Sequence, residues 1–307
     1  MIKYGEVILL AVILGTFTRL LLLRVDYRQY PGYPHGYIVH LTLAFLASAL
    51  GALVLPAMLE ENYVAVTILG AAVQQFRGIR NMERDFLSQI EETELVPRGQ
   101  AYIEGIAKVF ESRNYLAMIA ALLTSFGYYF FNLIGYNSLN IAGGVIVGTI
   151  VVYILYTLMS EDHVGDIAEI RVVDIEFVGP NNANLSIEDT VIMNIGLKEA
   201  KESWNKAGVG IVIAPKDDNA RATLANTGQR QAIIHDIVSQ LGVRLDVGVQ
   251  DYTPLARINL HTGRVYIIMI PMEPDEECIL EAVRRTPVLE ASRRAPLATK
   301  AGRMASD

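Results

Sequence analysis

The chain predicts an α-helical membrane half followed by a soluble α+β (mixed α/β) domain, and three observations point that way. Mean hydropathy is +0.31, and 52% of the 307 residues are hydrophobic, high for a soluble chain of this length. Apolar runs long enough to cross a bilayer are confined to residues 1–159, which carry 10 basic and 11 acidic residues. Residues 160–307 carry 16 basic and 22 acidic residues and alternate short apolar runs with turn signals. The net charge of −7 argues against a nucleic-acid partner.

Four segments, 7–23, 37–59, 115–136 and 139–159, approach the roughly 20 apolar residues that a span requires. Lys3 ahead of the first could suggest a signal peptide. Arg19 interrupts that run, however, and no small-x-small cleavage site follows, so the segment reads as a retained span with Arg19 snorkelling to the interface. A fifth candidate, 63–76, would reach only about 21 Å as a helix. Basic residues favour five spans over four. Arg24 and Arg28 follow the first span and six cations occupy 77–113, whereas the links 60–62 and 137–138 have none. The positive-inside rule then puts the N-terminus outside and the C-terminal domain in the cytoplasm. Gly144 and Gly148 form a small-xxx-small pair, suited to packing between adjacent spans or to a homo-oligomer seam. Asn132, Asn137 and Asn140 read as caps around the last inter-span turn.

The 77–113 segment is too charged to be buried in lipid and reads as a cytoplasmic helical loop of the 1–159 membrane domain. A helix over 80–92 places Met82, Phe86 and Ile90 at i, i+4, i+8. Pro97 and Gly99 break it. The next helix, 100–113, places Ile103, Ile106, Ala107 and Phe110 on one face and Glu104, Lys108 and Glu111 on the other, with Glu104 four residues from Lys108. Gly105 costs about 1 kcal/mol relative to alanine in mid-helix, so a close packing partner is expected.

The soluble domain, 160–283, begins with a strand over 167–177 and a Gly-Pro-Asn-Asn turn at 179–182. A strand at 190–195, a helix at 197–206 ended by Gly208 and a buried strand at 209–213 follow. Residues 219–240 read as one long helix and 243–249 as a strand. Strands 255–260 and 264–270 flank His261-Thr262-Gly263, a hairpin signal. A helix over 274–285 precedes a basic stretch, 284–307, expected to be a disordered tail able to touch anionic lipid.

The densest polar run is 223–236. Asn226, Gln229, Arg230, His235 and Asp236 are candidate binding residues there. Lys216 joins them, beside Asp217 and Asp218, at the end of the preceding strand, where α/β ligand sites often lie, and Glu104 joins them from the loop helix. His235, Asp236 and Ser239 cannot form a local triad, because neighbours on one helix point apart. No nucleophile elbow, HExxH, Walker A or dinucleotide-binding motif is present. The single cysteine, Cys278, allows no intramolecular disulfide, suits a reducing compartment and reads as a small apolar helix residue. Five scattered histidines give no structural metal spacing, so neither metal nor cofactor is expected, and no catalytic residue is assigned.

Tyr102-Ile103-Glu104-Gly105-Ile106-Ala107 spells YIEGIA. With the stretches TLANTGQRQAIIHD at 223–236 and YTPLARINLHTGRV at 252–265, the chain resembles the YIEGIA family of membrane proteins from spore-forming Firmicutes. The resemblance covers most of the chain outside the basic tail. It implies an integral membrane protein of sporulation and spore-envelope assembly, with cytoplasmic spore-assembly proteins as partners, and it carries over no catalytic residue. Two functions follow. One is an assembly or scaffold factor presenting its cytoplasmic domain. The other is a membrane-anchored enzyme, most plausibly a protease regulating a cytoplasmic protein.

Overall fold

The computed structural model describes residues 4–26, 34–91, 96–134, 139–159, 162–246, 249–250 and 252–305. The expected limits at 92, 136 and 249, and the residues Arg28 and Asn137, lie outside or run into undescribed residues. The chain divides into two compact units, Met1–Phe86 with Ile106–Ser160, and Leu87–Gly105 with Glu161–Asp307. Each holds together separately, and the boundary runs through the YIEGIA hexapeptide after Gly105.

The first unit is built from α1 (Gly5–Val25), α2 (Pro34–Leu59), α3 (Tyr63–Ile90), α4 (Gln100–Leu133) and α5 (Asn140–Leu158), with the first residues of α4 and the last of α3 assigned to the other unit. Four of them, α1, α2 from Gly36, α4 and α5, are long and apolar enough to cross a membrane. The fifth candidate is not a separate segment. It forms the start of α3, continuous with the charged helix expected after it. Likewise the amphipathic loop helix and the third predicted span are one helix, α4. Its expected inner face holds: Ile103, Ile106, Ala107 and Phe110 are all buried.

The helices alternate in direction. At one end, the Tyr4 hydroxyl donates to Glu60 and the Tyr128 hydroxyl donates to Glu6 at 3.3 Å. At the other, Asp26 (the C-cap of α1) accepts from Arg19 of α1 at 2.9 Å and from Arg113 of α4 at 2.9 Å. Arg19 also contacts His40 Nδ1 of α2 at 2.9 Å, and Arg113 reaches the sulfur of Met159, the C-cap of α5, at 3.0 Å. Phe76 and Ile79 of α3 pack on Ala47 and Phe110, so α3 runs back from Glu60 toward the Arg19 end. Arg19 therefore does not snorkel. It is fully buried, because a carboxylate seven residues on and a second guanidinium from α4 complete an ionic cluster inside protein, where intramembrane charges are tolerated.

Close helix approach relies on glycine. A Cβ on Gly51 would stand 2.1 Å from the Met118 carbonyl oxygen. Gly144 and Gly148 face Leu10, Leu14 and Thr124 of the same unit, so of the two readings of this pair the contacts with α1 and α4 match packing between spans. Small residues here serve packing within the chain. Asn140 follows the N-cap Leu139 and supplies no capping bond, and Asn132 lies within α4. The expected inner face of the charged helix is also displaced. Met82 and Phe86 are 61% and 36% exposed, whereas Phe76, Ile79, Glu83 and Leu87 are buried.

The second unit adds α6 (Val164–Ile167), β1 (Ala168–Val173), β2 (Glu176–Val178), β3 (Asn184–Ile187), β4 (Thr190–Asn194), α7 (Lys198–Ala207), β5 (Val209–Pro215), α8 (Asp218–Leu224), α9 (Thr227–Leu241), β6 (Leu245–Asp246), β7 (Val249–Gln250), β8 (Leu255–Ile258), β9 (Val265–Met269), α10 (Glu276–Arg284) and α11 (Lys300–Ala305). An antiparallel sheet of order β1-β5-β9-β8 lies at its centre, with a second antiparallel sheet β2-β3-β4 and a short β6-β7 pair. Strand alternation separates two cores. Ile211, Ile213, Val265, Ile267 and Met269 pack against Ile233, Ile237 and Val238 of α9 and Ile279 and Val283 of α10. Val212, Tyr266 and Ile268 point the other way, onto Leu185, Ile187, Ile192 and Trp204. At the β3–β4 turn Glu188, with φ +51, is clamped by Arg171, by Arg264 at 3.2 Å and by the Tyr266 hydroxyl at 3.0 Å.

Three sequence expectations change here. The strand over 167–177 is two strands in different sheets. The long helix over 219–240 breaks at Ala225-Asn226, where Asn226 caps α9. Cys278 is a helix residue as expected, in the first turn of α10, and is exposed. The basic stretch after 284 is not free through its first half, since Thr286, Val288, Leu289 and Ser292 are buried. A 3-10 turn at Pro296–Ala298 and α11 follow them.

Candidate functional site

The polar residues of α9 end on the unit's own backbone. Gln229 is completely buried. Its amide nitrogen donates to the Pro287 carbonyl at 3.0 Å, and its amide oxygen accepts from Leu289 N–H and from the Ser292 hydroxyl, both at 2.8 Å. Asp236 accepts from the Thr286 hydroxyl at 3.0 Å. Together these two side chains hold 286–292 against α9, which is why a basic, proline-bearing stretch is ordered. Asn226 accepts from Gln229 N–H at 3.3 Å as the N-cap. Arg230 donates to the Ala225 carbonyl at 2.6 Å and the Leu224 carbonyl at 3.4 Å, closing the last turn of α8, and its partial burial lowers its pKa. Orphan carbonyls at a helix end are satisfied in this way by a nearby cation.

The same helix receives the start of α4. The Gln231 amide oxygen accepts from Tyr102 N–H at 3.1 Å, and the Tyr102 ring meets the His235 imidazole edge-on at 5.9 Å. Gly228 approaches the Ala101 carbonyl so closely that a Cβ would stand 2.8 Å from it. Gly99, with φ +83, faces the Gln231 amide. Gly105 has Leu289 and Ala291 3.7 and 3.8 Å from a Cβ position, ordinary contact that an alanine would also make, so the close approach expected to require glycine there is not found. Glu104 is half-buried on α4. Thus Gln229, Asp236 and His235 contact two other segments of the chain, while Asn226 and Arg230 close the junction between α8 and α9.

Lys216 goes elsewhere. It is exposed at the end of β5, and its ammonium donates to the carbonyls of Gly165 at 3.0 Å and Asp166 at 2.7 Å. Beside it lies a cavity of about 450 Å³, bordered by Asp162, Asp166, Lys216, Asp217, Arg293 and Arg294 with Asn219 and Thr223 beneath. Asp217 caps α8 through Ala220 N–H at 2.7 Å, and Arg293 pairs with Asp162 at 3.3 Å. The Arg293 Nε is buried without a hydrogen-bond partner. Three carboxylates and three cations line the one cavity, a mixed-charge lining suited to holding a charged segment in a defined orientation. Sequence reasoning placed Lys216 and Asp217 at this strand end but missed Asp162, Asp166, Arg293 and Arg294, because Asp162 and Arg293 are distant in the chain and the arginines lay in a stretch expected to be disordered. Among the described residues no group of His, Cys, Asp and Glu could hold a metal ion.

The YIEGIA protein family matches residues 7–299. The uncharacterized protein YphB of Bacillus subtilis (strain 168) is 41% identical over 296 residues, covering 96% of each chain. No solved structure matches the chain. The match runs through both units, from the first membrane helix to the segment held by Gln229, and the chain belongs to the YIEGIA protein family.

Proposed function

We propose that this is a multi-span membrane protein that presents its α/β unit at the cytoplasmic face and acts in spore formation as an assembly factor, by binding other proteins. The observation that carries this reading is the use of α9. The candidate binding side chains Gln229, Arg230 and Asp236 hydrogen-bond to groups of the chain's own unit, and charged groups of both signs line a cavity open to solvent. Such a surface selects partners by charge complementarity.

The distribution of charge on the membrane unit supports this orientation. Arg19, Arg24, Arg80, Arg84 and Arg113 gather toward the end where α1 and α5 finish, whereas Glu6, Glu60 and Glu61 mark the opposite end. Five alternating passes, with the basic end inside, leave the N-terminus outside and the chain departing from α5 on the cytoplasmic side. The link to sporulation rests on the resemblance to a family of spore-forming Firmicutes.

Proximity labelling from a fusion at the C-terminus in sporulating cells tests the reading. The expected result is a defined set of cytoplasmic neighbours that the double variant Lys216→Glu, Arg293→Glu loses while protein level and membrane insertion stay unchanged. An identical labelled set in that variant would count against the cavity. Accumulation of an uncleaved protein in the variant would favour the proteolytic alternative.

A further inference from the structure

The buried side of α3 is not an apolar stripe. Phe76, Ile79, Glu83 and Leu87 succeed one another at helical spacing, and all are buried. A carboxylate thus occupies a seam position that an amphipathic helix ordinarily fills with an aliphatic side chain. Phe76 and Ile79 pack on Ala47 and Phe110, with Leu43 of α2 and Tyr115 of α4 alongside. The Phe110 ring carries the His40 imidazole edge-on at 4.4 Å and the Arg19 guanidinium at 6.0 Å. Glu83 follows one turn beyond Ile79 on the same face and senses the charge of Arg19.

The charged and titratable groups at this end of the unit come from every helix packed there. They are Arg19 and Asp26 of α1, His40 of α2 and Arg113 of α4. On α3 itself, Arg80 stands 4.0 Å from Glu111 of α4, and Arg84 is exposed beside Asp85. Two fully buried guanidiniums share one carboxylate, Asp26. The two guanidiniums and one carboxylate leave one positive charge that opposes protonation of Glu83, and the burial of Glu83 in the helix seam is what favours the proton. Glu83 is 8% exposed, and among the described residues no hydrogen bond contributes to its titration.

We propose that Glu83 is a proton-binding site whose occupancy governs how firmly α3 packs against α2 and α4. Burial raises the Glu83 carboxyl from 4.5 to about 7, against the opposing pull of Arg19. The packed state therefore binds the proton more tightly than a state with Glu83 in water. Packing is firmest below the solvent-exposed pKa and weakens as pH rises through about 7,.

The test is hydrogen exchange over residues 77–86 of the full-length protein in nanodiscs of zwitterionic lipid, with rates corrected for intrinsic pH dependence. Between about pH 5.5 and about pH 8.5, linkage predicts that the wild-type opening equilibrium rises about 30-fold. Glu83→Gln should abolish that rise and stay protected throughout, and His40→Gln should retain it. The same rise in Glu83→Gln, or no rise in the wild type, overturns the proposal. Should Glu83→Gln fail to fold, infrared difference spectra of the wild type over the same range decide. Loss of a protonated-carboxyl band supports the site, and no band change overturns it.

Discussion

Replacing Gln229 with alanine should release the 286–292 segment from the α/β unit. The side chain is fully buried and makes three hydrogen bonds, to Pro287 O at 3.0 Å, Leu289 N–H at 2.8 Å and the Ser292 hydroxyl at 2.8 Å. The Ser292 hydroxyl retains a second acceptor, the Leu289 carbonyl at 2.7 Å. Two backbone groups, Leu289 N–H and Pro287 C=O, are left orphaned in the interior. At about 1–3 kcal/mol for each buried unsatisfied group, the loss is about 2–6 kcal/mol. Gln229→Met fills the space without the hydrogen bonds and should lie at the lower end. Asn226→Ala, which removes only the cap of α9, should cost about 1 kcal/mol. Trp204 is the only tryptophan in the chain and is buried in the core between β5, β9 and the smaller sheet. Its fluorescence during denaturant titration of the detergent-solubilised protein reports this unit, and limited proteolysis reports the segment. A Gln229→Ala protein with unchanged denaturation and a protected segment would refute the framework role of α9.

Other perturbations test the membrane unit. Asp26→Ala leaves Arg19 and Arg113 as buried cations without their shared carboxylate, and the thermal melt should show a loss of roughly 3–5 kcal/mol. An unperturbed melt would mean that the cluster is solvated. Gly51→Ala places a methyl against the Met118 carbonyl, where the gap is 2.1 Å. Separation of α2 from α4 should cost about 1–3 kcal/mol or more, read as a lower melting temperature, and a neutral result would contradict the close approach.

The parts of the fold legible in sequence are those in which periodicity and burial coincide. The apolar spans, the Ile103–Phe110 face and the β8–β9 hairpin with Gly263 at φ +72 all follow from local pattern. Charges misled wherever their partners were distant in sequence. Arg19 in an apolar helix suggested snorkelling, because Arg113 lies 94 positions away and Asp26 was counted as part of a loop. On α3 the spacing of Met82 and Phe86 suggested the inner face, but the buried stripe includes Glu83, which hydropathy assigns to solvent. The basic stretch after Arg284 has the composition of a disordered tail, and its order depends on two α9 side chains about 50 to 60 residues earlier. The polarity of α9 suggested a ligand surface because a residue's hydrogen-bond partners are not written in its neighbours. Lys216 was found because it ends a strand, and the rest of its cavity needed the tertiary fold.

The proposal depends most on which side of the membrane carries the α/β unit, and the chain contains its own reporter. Cys278 is the single cysteine and is exposed at the start of α10. Its hydrogen bond with Asp275 raises the thiol pKa, so labelling runs to completion at alkaline pH, with opened membranes as the reference. A membrane-impermeant maleimide applied to intact protoplasts should leave Cys278 unmodified and should modify it fully once the membrane is opened. Full modification in intact protoplasts would place the unit outside and contradict the account.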